Sequence, residues 1–172
     1  MLFDIDLKPQ EHLAAIDDND GRLLYGDIVS LREQLSVILP PRELVFCLCE
    51  NKVESLAGFL ALYDCEDVCL LLNAAIDVEL LDRLISTYSP SYFWMPESMD
   101  IKYDVVYSYN GYILAKTGNI APPMNPDLSM LMTTSGTTGS PKLVRYKYGN
   151  IESNARNVAN VFGWTANERG II

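Results

Sequence analysis

Leu44-Val45-Phe46-Cys47-Leu48-Cys49 is an unbroken apolar run, and Val68-Cys69-Leu70-Leu71-Leu72 is a second one. Runs of this kind, without polar alternation, are what a strand covered on both faces requires. Between them Val53, Leu56, Phe59, Leu60 and Tyr63 recur at helical spacing, so residues 52–63 predict an amphipathic helix. Downstream, a helix is expected over 78–88, closed by Pro90, and Tyr92-Phe93-Trp94-Met95 reads as a third buried strand. Strand, helix, strand, helix, strand with fully apolar strands predicts an α/β fold with a mainly parallel sheet and flanking helices.

Upstream of this core, Ile28, Leu31, Leu35 and Ile38 mark another helix. Asp27 is the expected cap, and Pro40-Pro41 ends the helix. Residues 14–25 read as a hairpin turning at Asp20-Gly21. The acidic run Asp17-Asp18-Asn19-Asp20-Gly21 invites a calcium loop, but its glycine is misplaced and no glutamate closes it. A solvated turn is the expectation there. A second hairpin spans 105–115 around Asn110-Gly111, and residues 118–128 hold three prolines and read as a connector. A strand at 129–133, another at 142–148 and a helix bearing Ile151, Ala155, Val158 and Phe162 follow. Asn150 is the expected cap of that helix and Gly163 its stop. The whole of 1–172 reads as a single α/β unit.

The 172 residues are 49% hydrophobic and 21% charged, the balance of a folded globular chain. Thirteen basic and 23 acidic residues give a net charge of −10. That argues against non-specific nucleic-acid binding and means that any phosphate site must be built locally. No run approaches the roughly 18–20 apolar residues of a membrane span, and the start lacks the pattern of a secretory signal. A cytoplasmic location is the resulting expectation. Cys47, Cys49, Cys65 and Cys69 lack metal-site spacing, and His12 is the only histidine, so no metal ligand is assigned and the cysteines are expected to fill the core.

The chemistry lies in Thr134-Ser135-Gly136-Thr137-Thr138-Gly139-Ser140-Pro141-Lys142. With Thr133 before it, this stretch (133–142) is Thr, Ser, Gly or Lys at every position but Pro141. Hydroxyls crowd into a small volume, and Gly136 and Gly139 let the main chain approach a ligand closely. Successive free N–H groups make a concave anion site, and Lys142 adds a point charge. The composition suits a polyphosphate; it also suits a flexible polar loop. A Walker loop is excluded, because Pro-Lys closes the stretch and Leu143-Val144-Arg145-Tyr146 reads as strand rather than helix. A dinucleotide-fold glycine pattern is absent as well.

The ordered string Ser-Gly-Thr-Thr-Gly-x-Pro-Lys resembles the phosphate loop of the adenylate-forming superfamily: acyl-CoA synthetases, luciferases and peptide-synthetase adenylation domains. Weaker resemblance extends along the chain. Leu24-Tyr25-Gly26-Asp27-Ile28 looks like the family's Thr-Tyr-x-Glu-Leu, and Leu44 to Asn73 looks like its strand, helix and apolar strand ending in Leu-Asn. The resemblance implies a reaction in which ATP and a carboxylate give an acyl-adenylate and pyrophosphate, and a thiol or amine then takes the acyl group. It assigns the β- and γ-phosphates to Thr134, Ser135, Gly136, Thr137, Thr138, Gly139 and Lys142, with Mg2+ assisting, and CoA or a pantetheinyl carrier as the thiol. Leu143 stands where the family usually has glycine, and Tyr148 where it often has histidine.

By resemblance the family's enzymes are roughly three times this long. The chain would then be an incomplete N-terminal domain, with the adenine pocket, acyl pocket, magnesium ligand and catalytic lysine supplied downstream. No catalytic residue is expected within it, and isolated activity is not expected. A different phosphotransfer enzyme and a non-catalytic nucleotide-binding or interaction module are the alternatives. If 142–148 is a regular strand, Arg145 and Lys147 point away from the face of Lys142 and are not main phosphate contacts.

Overall fold

The computed structural model describes residues 2–100, 102–133 and 143–165. A short 3-10 segment, Leu2–Leu7, precedes the hairpin β1 (Leu13–Ile16) and β2 (Arg22–Leu24). Helix α1 (Tyr25–Ile38) leads to β3 (Leu44–Cys49), α2 (Val53–Asp64), β4 (Val68–Asn73), α3 (Val78–Tyr88) and β5 (Tyr92–Pro96). The second hairpin is β6 (Asp104–Tyr109) and β7 (Tyr112–Lys116). Then come β8 (Leu128–Thr133), β9 (Leu143–Lys147) and α4 (Asn150–Phe162).

Among the described residues, one seven-stranded sheet runs in the order β6-β7-β5-β3-β4-β8-β9. Its four inner strands, β5, β3, β4 and β8, are parallel. The flanks are antiparallel, since β7 and β6 pair onto β5 and β9 pairs onto β8. The sheet is therefore mixed, with the expected parallel core. The 105–115 hairpin joins the same sheet because β7 presents Ile113, Leu114 and Ala115 to the apolar β5.

Side-chain alternation along β3 divides the core in two. Val45 and Cys47 face a cluster containing Leu31 and Leu35 of α1, Ala57 and Ala61 of α2, and Trp94. Leu44, Phe46 and Leu48 face the other cluster, with Leu81 and Leu84 of α3 and Phe93. Phe46, Phe93 and Trp94 are fully buried, and each such side chain contributes about 1.5–3 kcal/mol by leaving water. Gly58 is what brings α2 close to the sheet. A Cβ there would fall inside the Trp94 indole, whose Nε1 donates to the Glu54 carbonyl at 3.1 Å.

Helix starts differ from the sequence reading in two places. Helix α1 begins at Tyr25, and Asp27 sits inside its first turn, accepting from the Leu24 N–H at 2.8 Å. Gly149 is the residue before α4, with a positive φ of 81°. Asn150 is the first helical residue instead, and its Oδ1 accepts from the Lys147 N–H at 2.8 Å. Helix α2 is capped from a distance: Asp17 Oδ2 accepts from the Val53 N–H at 3.2 Å, while Asp17 Oδ1 accepts from Asn19 and Gly21. These hydrogen bonds, led by the one from Gly21, hold the Asp17 carboxyl below its ordinary range. The acidic run is thus a turn that caps a helix, and no metal-binding group of three or more His, Cys, Asp or Glu occurs among the described residues.

All four cysteines are free thiols. Cys47 is pushed well up by its hydrogen-bonded neighbour Cys69 and by burial; burial raises Cys49 to about 11 and Cys65 to about 12. Such thiols stay protonated and are poor nucleophiles, as core-filling residues should be. No described helix is long and apolar enough to cross a membrane.

Candidate functional site

Residues 134–142, the expected phosphate loop, lie outside the described residues, and so do the expectations attached to Thr134, Ser135, Gly136, Thr137, Thr138, Gly139 and Lys142. What the fold defines is the frame that holds them. Thr133 ends β8, Leu143 begins β9, and the two are directly paired in the ladder. The two ends of the loop are therefore fixed side by side.

The frame also fixes where the loop leaves the sheet. β8 runs parallel to β4, with Cys69 against Met130 and Leu71 against Met132, so both strands end at the same edge. From there β4 turns back over α3 to reach β5 on its far side, whereas β8 turns outward to β9. Open α/β sheets commonly bind ligands outside the carboxyl ends of their parallel strands. In the turn after β4, Asn73 Oδ1 accepts from the Ala75 N–H at 2.7 Å.

Strand β9 separates its residues as the alternation expects. Leu143 packs with the α3-side cluster, and Arg145 lines a cavity on that same side. Tyr148, just beyond the strand, stacks edge-on against Tyr63 of α2 at 5.4 Å. The Lys147 ammonium pairs with Asp127 at 3.1 Å, beside the start of β8 and away from the loop. Arg145 and Lys147 therefore belong to the body and base of the hairpin.

That base is fastened by a residue with no sequence signature. Arg42 has a positive φ of 67° in the turn before β3. Its Nη1 donates to the carbonyls of Leu128 at 2.9 Å and Glu66 at 3.3 Å and to the Tyr148 hydroxyl at 3.3 Å. Its Nη2 donates to the Asn125 carbonyl at 2.7 Å. One guanidinium thus ties the beginning of β8 and the end of β9 to the turn before β4. Tyr148 is part of this clamp, and burial raises its phenol above the ordinary range. Beside the clamp Asp67 is fully buried. Its Oδ1 accepts from the Glu43 N–H at 2.8 Å, its Oδ2 has no partner among the described residues, and burial raises the carboxyl to about 7.

No protein-family model and no curated protein sequence matches the chain. Solved structures do. The o-succinylbenzoate CoA synthetase MenE from Bacillus subtilis, in complex with the acyl-adenylate intermediate OSB-AMP, aligns at 22% identity and TM-score 0.69 over 96% of this chain and 46% of its own. The same enzyme in complex with ATP and magnesium ion aligns at 19% and 0.68, over 95% of this chain and 47% of its own. ATP-bound MatB from Rhodopseudomonas palustris aligns at 20% and 0.67, over 92% and 36%. The chain spans less than half the length of each of these proteins. It has the α/β fold of the part of these adenylate-forming synthetases that it overlies.

Proposed function

We propose that this chain is the phosphate-binding part of an AMP-forming acid–thiol ligase of the acyl-CoA synthetase type. The observation that carries the reading is the position of the loop string. In sequence, Ser135-Gly136-Thr137-Thr138-Gly139-Ser140-Pro141-Lys142 lies between Thr133 and Leu143, which are paired where β8, parallel to β4, ends; open α/β sheets bind ligands at the carboxyl ends of such strands. The donor set fits a triphosphate: hydroxyls, glycine amides and one ammonium, with no carboxylate among them.

In this reading Thr134, Ser135, Thr137 and Thr138 donate hydroxyls to the β- and γ-phosphates. Gly136 and Gly139 let the main-chain N–H groups approach, and Lys142 balances charge on the departing pyrophosphate. Magnesium, when bound with ATP, would spread the same charge. Its ligand is not assigned to this chain, and neither is a catalytic residue. The co-substrates proposed are a carboxylic acid and a thiol, CoA or a pantetheinyl carrier. Adenylation also needs the carboxylate held in line with the α-phosphate, so the chain by itself is proposed to hold phosphates without turnover.

The test is carboxylate-dependent ATP–pyrophosphate exchange over a panel of acids. It compares this chain with a longer protein carrying the same segment. Exchange by the longer protein, lost on Lys142→Ala or Thr138→Ala, supports the proposal. Exchange that survives both changes contradicts it.

A further inference from the structure

On the α3 face of the sheet, a cavity of about 320 Å³ opens between the strap 117–127 and the strands beneath it. That volume is at the small end of ligand pockets, roughly 300–1,000 Å³. Leu44, Leu128, Leu131 and Leu143 line it from the sheet, and Pro122 and Met124 line it from the strap. Two further lining residues carry polar groups: the Tyr88 hydroxyl at the end of α3 and the Arg145 guanidinium on β9.

Arg145, exposed to solvent, is the charged group at the cavity. Its guanidinium makes no hydrogen bond or ion pair with any described residue, whereas the neighbouring Lys147 is paired with Asp127. The strap is built to give way. Asn119 holds one end, donating to the Pro90 carbonyl at 3.1 Å, and the Asn125 carbonyl holds the other on Arg42 at 2.7 Å. Between them, residues 120–124 make no backbone hydrogen bond among the described residues.

We propose that this cavity binds a small apolar monocarboxylate, about the size of octanoate, with its chain against the leucines and its carboxylate on Arg145. The hydrocarbon leaves water against an apolar lining, and the planar guanidinium offers a paired set of donors matched to a carboxylate. A single cation suits a monoanion better than a phosphate dianion. Leu44 and Leu128 begin β3 and β8, while Leu131 and Leu143 line the cavity nearer the other end of β8, where Leu143 pairs with Thr133. The residues invoked all lie among those described, and the binding proposed here does not depend on the proposed adenylation.

The test is methyl-detected NMR of the 172-residue chain, labelled at leucine and methionine and titrated with octanoate and, separately, with 1-octanol. Saturable shifts at Met124, Leu128 and Leu143 are expected with octanoate. Arg145→Gln should weaken binding about tenfold, the scale of one charge-assisted hydrogen bond. Met124→Glu, which places a like charge in the cavity wall, should weaken it as well. Octanoate shifts confined to other methyls, 1-octanol binding as tightly as octanoate, or an unchanged affinity in Arg145→Gln would each overturn the proposal.

Discussion

Asp67→Asn should stabilise the chain above neutral pH and leave it nearly unchanged in acid. Asp67 is fully buried beside Glu43, whose charge opposes its ionisation, while the Glu43 N–H and Arg42 favour it. Burial is the largest effect and lifts the carboxyl from 3.8 to about 7. A folded-state value above the unfolded one means that the folded chain holds this proton more tightly. The associated stability is fully present below about pH 3.8 and is lost as pH rises through about 7. At about 1.36 kcal/mol per pH unit, the rise corresponds to about 4 kcal/mol, an upper figure because local relaxation reduces it. Asparagine keeps an acceptor for the Glu43 N–H and carries no charge at any pH. Urea unfolding of both proteins from pH 4.5 to 8.5 measures the difference. The gap should open progressively from about pH 4 to 7 and reach about 2–4 kcal/mol at pH 8. A gap independent of pH, or an asparagine variant that is less stable at pH 8, would refute the reasoning.

Gly58→Ala should destabilise by about 3 kcal/mol: overpacking against the Trp94 indole outweighs the roughly 1 kcal/mol gained in helix propensity, and chemical unfolding with a red-shifted Trp94 emission would show it. Arg42→Met should cost about 1–2 kcal/mol overall by removing the hydrogen bonds to Leu128 and Asn125. Amide exchange should rise in β8 and β9 more than in β3. Asp17→Ala should lower the melting temperature more than Asp18→Ala, because only Asp17 caps α2. Its folded carboxyl is depressed, so that stability is present above about pH 3.8 and disappears as pH falls further.

The strands β3 and β4 were legible because burial on both faces writes a continuous apolar run into the chain, and α2 between them because its inner face repeats at helical spacing. The turn at Asn110-Gly111 was equally local. Its sheet partner was not, since pairing of β7 with β5 depends on which apolar edge is left free after the parallel strands have assembled. Capping is not legible where the cap comes from elsewhere. The partner of Val53 is Asp17, 36 residues earlier, and no helix-local pattern reports it. Arg42 was illegible for the same reason: its acceptors at Asn125 and Leu128 lie more than 80 residues away. The loop string was readable as chemistry from its glycines, hydroxyls and lysine. The structure adds the paired strand ends, Thr133 and Leu143, that flank it in the chain.

The most direct test of the account is amide-detected NMR of the chain titrated with MgATP and with AMP. A loop that cradles the β- and γ-phosphates predicts saturable ATP-dependent shifts centred on 133–143. The affinity should be in the millimolar range, about −4 kcal/mol, with little response to AMP and a loss on Lys142→Ala. Equal shifts with AMP and ATP, or ATP shifts that persist in Lys142→Ala, would contradict it.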